Sequence, residues 1–186
     1  MAESKDNVIT KGASGKFADL LVFTQRYGRT FLGKVPVNGG KPSVNQLAVR
    51  EKFLKAVKYA RQTMQDPAIK PLYSERAGNG ITAFNLAIVD YFSAPEIDEI
   101  NTSAYTGAVG SKIEVKASDD TKVTGVRMSI YDPAGNTVEE GDAVQDPANG
   151  HWFYTATAAN AVLAGTKISA SAKDLPGNET KAEKVL

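Results

Sequence analysis

The sequence predicts an α+β N-terminal half, a β-hairpin with about three helices, followed by an all-β half of about seven short strands. Three observations carry this. The hydrophobic period changes from about 3.6 before Ser93-Ala94-Pro95 to about 2 after it. The charge changes sign at the same place: residues 1–92 hold 14 Lys and Arg against 7 Asp and Glu, a net +7, and residues 93–186 hold 8 against 14, a net −6. Turn signals, Asp132-Pro133-Ala134-Gly135-Asn136, Asn149-Gly150 and Pro176-Gly177-Asn178, then punctuate the second half. The organisation read from this is an N-terminal arm at 1–16, a basic hairpin-plus-helices domain at 17–92, a linker at 93–97 and a β-sandwich at 98–186.

The arm is polar, and ordering it requires something to hold it. From Phe17 to Val35, two runs rich in β-branched and aromatic residues flank Arg26-Tyr27-Gly28-Arg29. This is a hairpin signal, with Gly28 supplying positive φ. Leu20 and Val22 share one face and Leu21 and Phe23 the other, so both faces need cover. After the glycine and proline connector, Ser43-Val44-Asn45-Gln46 is a capping box that starts a helix. At about 100° per residue, Val49, Phe53, Ala56, Val57, Ala60 and Met64 form one apolar stripe. Asp66-Pro67 opens a short helix with an irregular first turn, because Pro71 lacks an N–H, and Gly78-Asn79-Gly80 stops it. Ile81 to Phe92, apolar nearly all round, is the expected central helix.

Beyond Pro95 the strands alternate. Ile113, Val115 and Ala117 point inward, as do Val126, Met128 and Ile130; then Trp152, Tyr154 and Ala156; then Ile168, Ala170 and Ala172. A first strand near 97–103, one at about 137–144 and one after Asn178 complete the set.

In KIEVKASDD, VTGVRMSIYDPAGN, HWFYTAT and TKISASAKDLPGNET the second half resembles the bacterial immunoglobulin-like and fibronectin-like domains of surface and phage proteins. The resemblance covers residues 96–186, about half the chain, and pairs A-x-D-x-P-G-N with an earlier strand ending in Asp119-Asp120. It implies a seven-stranded Ig-like sandwich without catalytic activity, used as a spacer, adhesive module or assembly surface. No family is named for residues 1–92.

With 186 residues and 42% hydrophobic content, the chain is long enough for real cores. The net charge of +1 argues against the whole molecule being a polyanion binder. The absence of cysteine excludes disulfides, thiolate metal sites and cysteine nucleophiles. No apolar run reaches the ~18 residues of a membrane span, and the first twenty residues lack a secretory apolar core. The expectation is therefore cytoplasmic synthesis without membrane insertion, with a virion or particle as destination, or an extracellular one if a signal was removed.

Catalysis is not expected. The single histidine, His151, sits beside Trp152 at a strand start, and no serine lies in a G-x-S-x-G elbow. Neither KGASGKF nor VNGGKPS matches G-x-x-x-x-G-K-[ST], so both read as connectors and no small-molecule substrate is indicated. The one cofactor considered is calcium: Asp119 and Asp120, with Asp174 and Asn178, fall in loops at one end of a sandwich, although Asp and Asn are also favoured turn residues.

The cations give the interface candidates. Arg50, Lys52, Lys55, Lys58 and Arg61 line the first long helix, with Glu51 placed to pair with Lys55. Lys5, Lys11, Lys16, Arg26, Arg29, Lys34 and Lys41 continue the excess, and Tyr27 lies between two arginines at the hairpin tip. Three readings follow. The lead is a non-enzymatic structural or assembly protein, a phage-like or filament component, that forms a homo-oligomer through its basic half and displays the Ig-like domain. The second is a sequence-tolerant nucleic-acid binder. The third is a surface adhesion module.

Overall fold

The computed structural model describes all residues except 1, 5, 6, 38 and 79, so Lys5 and Asn79 of the sequence reading lie outside the described residues. Among the described residues it contains three helices and twelve strands in three four-stranded antiparallel sheets, α+β overall. The chain divides into two compact units, Met1–Lys52 and Phe53–Leu186. This division falls inside the first helix, whereas the sequence reading places its linker at 93–97.

The first unit is built around the expected hairpin. Strands β1 (Ala2–Ser4), β2 (Gly15–Phe17), β3 (Leu21–Arg26) and β4 (Arg29–Lys34) form a sheet in the order β1-β4-β3-β2. Two pieces of the arm are thus held by its own hairpin: β1 pairs with β4, and β2 pairs with β3. Arg26 faces Arg29 across a two-residue turn. Both turn residues have positive φ, Tyr27 at 50° and Gly28 at 74°. That matches the primed turn favoured by strand twist, with glycine bearing the second position at no steric cost. The turn at Ala18 and Asp19, also at positive φ, takes Leu20 out of the strand and leaves it exposed. Leu20 and Val22 therefore do not share a strand face as the sequence suggests.

Helix α1 (Val44–Thr63) begins with the expected capping box: Ser43 N–H donates to Gln46 Oε1 at 3.0 Å and Gln46 N–H to Ser43 Oγ at 3.3 Å. Of its apolar stripe, Ala56 and Ala60 are fully buried and Val57 and Met64 partly buried, while Val49 and Phe53 remain 66% and 48% exposed. The cover is short because the next two helices are short. Helix α2 (Lys70–Ser74) has proline in its first turn, preceded by an Asx turn in which Ala68 N–H donates to Asp66 Oδ1. Helix α3 (Ala83–Asp90), capped by Thr82 Oγ1 accepting from Asn85 N–H, is shorter than the 81–92 span read from the sequence. Ala60, Tyr73 and Ala87 form the centre of this helical core. Val89 and Phe92 are exposed, so α3 is one-sided and not central.

The remainder is all β. Strands β5 (Glu96–Asn101), β6 (Lys112–Ser118), β7 (Val123–Tyr131), β8 (Thr137–Asp142), β9 (Val144–Gln145), β10 (Trp152–Thr155), β11 (Lys167–Asp174) and β12 (Glu179–Val185) make two sheets, ordered β5-β6-β10-β9 and β12-β11-β7-β8. Their apolar faces share one core, an arrangement compatible with a β-sandwich. Eleven of the twelve residues read as inward are buried, and Ala117 is partly so. The run at 137–144 splits into two strands because buried Ala143 carries the chain from one sheet to the other, its N–H donating to Val126 O at 2.8 Å.

One buried carboxylate ties this crossing to the core. Glu139 is 8% exposed. Its Oε2 accepts from Tyr154 Oη at 2.9 Å, Thr157 N–H at 2.7 Å, Thr157 Oγ1 at 2.8 Å and Ala158 N–H at 3.2 Å. Burial alone would raise its pKa, but the Thr157, Tyr154 and Ala158 bonds outweigh it and hold Glu139 below the usual glutamate value.

Candidate interaction surface

The hairpin tip presents its side chains because the turn admits no neighbours. Tyr27 is 72% exposed, and Arg26 and Arg29 on either side are exposed. Arg29 Nε lies 3.7 Å from Glu3 Oε1 of the arm, an exposed and therefore weak pair. On α1, Arg50, Lys52, Lys55, Lys58 and Arg61 are all exposed, as expected for the arc opposite an apolar stripe.

The first 54 residues also expose an unusual amount of apolar surface. Val8, Ile9, Phe17, Leu20, Tyr27, Val37, Val44, Leu47, Val49, Phe53 and Leu54 are each about half exposed or more. At the start of α1, Asn45, Gln46, Val49 and Arg50 line a shallow groove of about 370 Å³. Among the described residues of Met1–Lys52, only Thr30 is buried, where its hydroxyl accepts from Gln25 Nε2 at 2.7 Å.

The four calcium candidates do lie at one end of the β half, Asp119 and Asp120 in the turn after β6, Asp174 at the end of β11 and Asn178 in the turn that follows it. Asp119 Oδ2 accepts from the N–H groups of Thr121 and Lys122 at 2.9 and 2.8 Å. Asp174 Oδ1 accepts from Gly177 and Asn178 N–H at 2.7 and 2.6 Å. Asn178 acts as a donor: Nδ2 lies 2.7 Å from both Asp174 Oδ2 and Ser93 O. These are turn-closing and segment-joining bonds that use the oxygens a cation would need. Asp119 and Asp120, with Ser93, Ala94, Glu96 and Ser118, line an acidic cleft of about 420 Å³. Among the described residues, no three His, Asp or Glu side chains gather as a metal-binding group.

His151 Nδ1 lies 2.6 Å from Glu114 Oε1, and Asn101 Nδ2 donates to Glu114 Oε2 at 3.0 Å. The His151 bond, ahead of the Asn101 bond, lowers the Glu114 pKa. The sequence reading missed Asp90 and Tyr73, whose side chains meet at the end of α3. The available signal was one carboxylate in ITAFNLAIVDYF, three residues after buried Ala87 and so on the same helix face.

Among the described residues, no helix is long and apolar enough to cross a membrane. No family model matches the chain, and no curated protein matches it in sequence.

Proposed function

We propose that this chain is a non-enzymatic structural protein that assembles with copies of itself through its basic N-terminal half and displays an immunoglobulin-like sandwich. The observation that carries this is the near-absence of a core in Met1–Lys52. A four-stranded sheet holds together in water when an apolar face is covered, and here one residue is buried while large apolar side chains stay in solvent. The exposed apolar side chains of residues 8–54 amount to roughly 1,000 Å², comparable with the ~800 Å² each partner contributes to a standard interface.

The sandwich part of the reading is supported by strand order. With β5 to β12 taken as A, B, C, C′, D, E, F and G, the sheets read A-B-E-D and G-F-C-C′, an immunoglobulin-like order. The charge asymmetry supports a heterologous contact, in which the basic half of one copy meets the acidic half of the next and generates rings or filaments. A phage-like particle is a setting that suits this combination, by analogy at the level of fold.

The test is the solution mass of full-length variants with Val49, Phe53 and Leu54 changed to Gln, and of a second set with Arg50, Lys55 and Lys58 changed to Glu. Both sets should retain the β-rich circular dichroism of the natural chain and lose assembly. The charge-reversed set should lose it mainly at low salt, because exposed attractions are screened beyond about 8 Å at physiological ionic strength. Unchanged assembly in both sets would contradict the reading.

A second reading has its own observation, the aromatic ring of Tyr27 standing 72% exposed between two arginines at a hairpin tip. Such a tip can stack on a base while its cations hold phosphates. On that reading, changing Arg26, Arg29, Lys55 and Lys58 to Gln flattens the slope of log K against log salt by about 0.9 per lost duplex contact. Undetectable duplex binding at ~50 mM salt would remove it.

A further inference from the structure

Helix α3 ends in a junction with the β half where, among the described residues, two buried carboxylate oxygens find no donor. Asp90 is 2% exposed. Its Oδ2 accepts from Tyr73 Oη at 2.5 Å, and that hydroxyl lies 2.9 Å from Tyr59 Oη of α1. Among the described residues, Asp90 Oδ1 and Asp119 Oδ1 are both buried without a donor in hydrogen-bond geometry, although the Thr121 hydroxyl is close enough to Asp90 to favour its charged form. From the β half, the groups that act on Asp90 are Asp119 and Thr121 of the turn after β6, and Asp174 at the end of β11. Asn178 of the turn after β11 comes within 3.4 Å of the Asp90 carbonyl. Arg76 points its guanidinium at Thr121 Oγ1, 3.3 Å away. Among the described residues, no Lys, Arg or His pairs with Asp90, Asp119 or Asp174.

We propose that this junction is a proton-gated latch: Asp90 carries a proton in the closed state, and losing it loosens the end of α3 from the two turns of the β half. The reason is charge without a counter-ion. A buried carboxylate that lacks a cation is costly to ionise, and two further carboxylates facing it raise the cost. A protonated Asp90 still accepts from Tyr73 and adds an O–H donor where the described carboxylate oxygens are otherwise short of one. Burial first, and then the charges of Asp119 and Asp174, push Asp90 above the usual carboxylate range against opposing bonds from Thr121 and Tyr73; burial also raises Asp174. The closing link is the Asn178 amide, which joins Ser93 O to Asp174 Oδ2 and so ties the segment after α3 to the turn whose carboxylate repels Asp90.

The sign follows from a proton held more tightly in the folded state than in the unfolded one. The stabilisation is fully present below the ordinary aspartate value near ~4 and is lost as pH rises through the folded value of Asp90. The latch is tested on the full-length chain by carboxyl carbon NMR and by denaturant unfolding across pH, with Asp90→Asn fixing the neutral form. The Asp90 carboxyl should titrate above the ordinary range, and the Asn178 side-chain amide signals should move at the same midpoint. The folding constant of Asp90→Asn relative to the natural chain should rise about tenfold per pH unit between ~4 and that midpoint, then level off. An Asp90 carboxyl titrating near ~4, Asn178 signals that ignore its midpoint, or a stability ratio independent of pH would overturn the latch. If the variant does not fold, the two NMR titrations of the natural chain decide the matter.

Discussion

Replacing Trp152 by alanine is expected to cost on the order of 3–5 kcal/mol of stability, enough to unfold the β half of a marginally stable chain. The indole is 6% exposed and belongs to the core shared by the two sheets, between β6 and β9 in its own sheet. Its removal leaves a void that the neighbouring Val115 and Val126 cannot fill without backbone movement. Among the described residues, indole Nε1 has no hydrogen-bond partner, so the loss is one of packing and not of a polar bond. Denaturant unfolding measures the cost. Trp152 is the only tryptophan, so the natural chain should show a blue-shifted emission that moves to the red in the unfolding transition. An emission maximum typical of water in the folded state would contradict the burial.

Glu139→Ala is expected to cost about 2–4 kcal/mol, because it strands the Thr157 and Ala158 N–H groups and the Tyr154 hydroxyl in a buried place. This effect carries a pH signature. Glu139 titrates below its ordinary value in the folded state, so its contribution is fully present above the unfolded value near ~4.3 and is lost as pH falls through the folded one. The stability gap between the natural chain and Glu139→Gln should therefore narrow on acidification. A gap that stays constant from pH ~7 down to the acid transition would show that the carboxylate charge adds nothing to the four bonds.

The sandwich-like half was legible because period-2 alternation assigns faces directly. Met128 and Ile130 on β7 and Ala170 and Ala172 on β11 are where the alternation puts them. The helix stripe from Val49 to Met64 was equally legible, but not how far it would be covered. That depends on Pro71 and the glycines near Ile81 keeping α2 and α3 short, so that the cover ends near Ala56. The crossing at Ala143 was hidden, since a single small residue inside an alternating run decides which sheet each neighbour joins. Glu139 and Asp90 could not be read as buried groups, because their partners come from segments more than a dozen residues away. The calcium candidates illustrate the converse. Their clustering at one end was readable from strand order, but which oxygens the backbone N–H groups would occupy is a property of turn geometry.

A unit with a single buried residue among those described is expected to self-associate, and the solution mass of the unaltered 186-residue chain shows whether it does. Light scattering on a chromatographic peak, repeated over rising concentration and across a salt series without nucleic acid, should give a mass that is a multiple of 19.8 kDa and falls as salt rises. A mass of 19.8 kDa at every concentration and salt would contradict it.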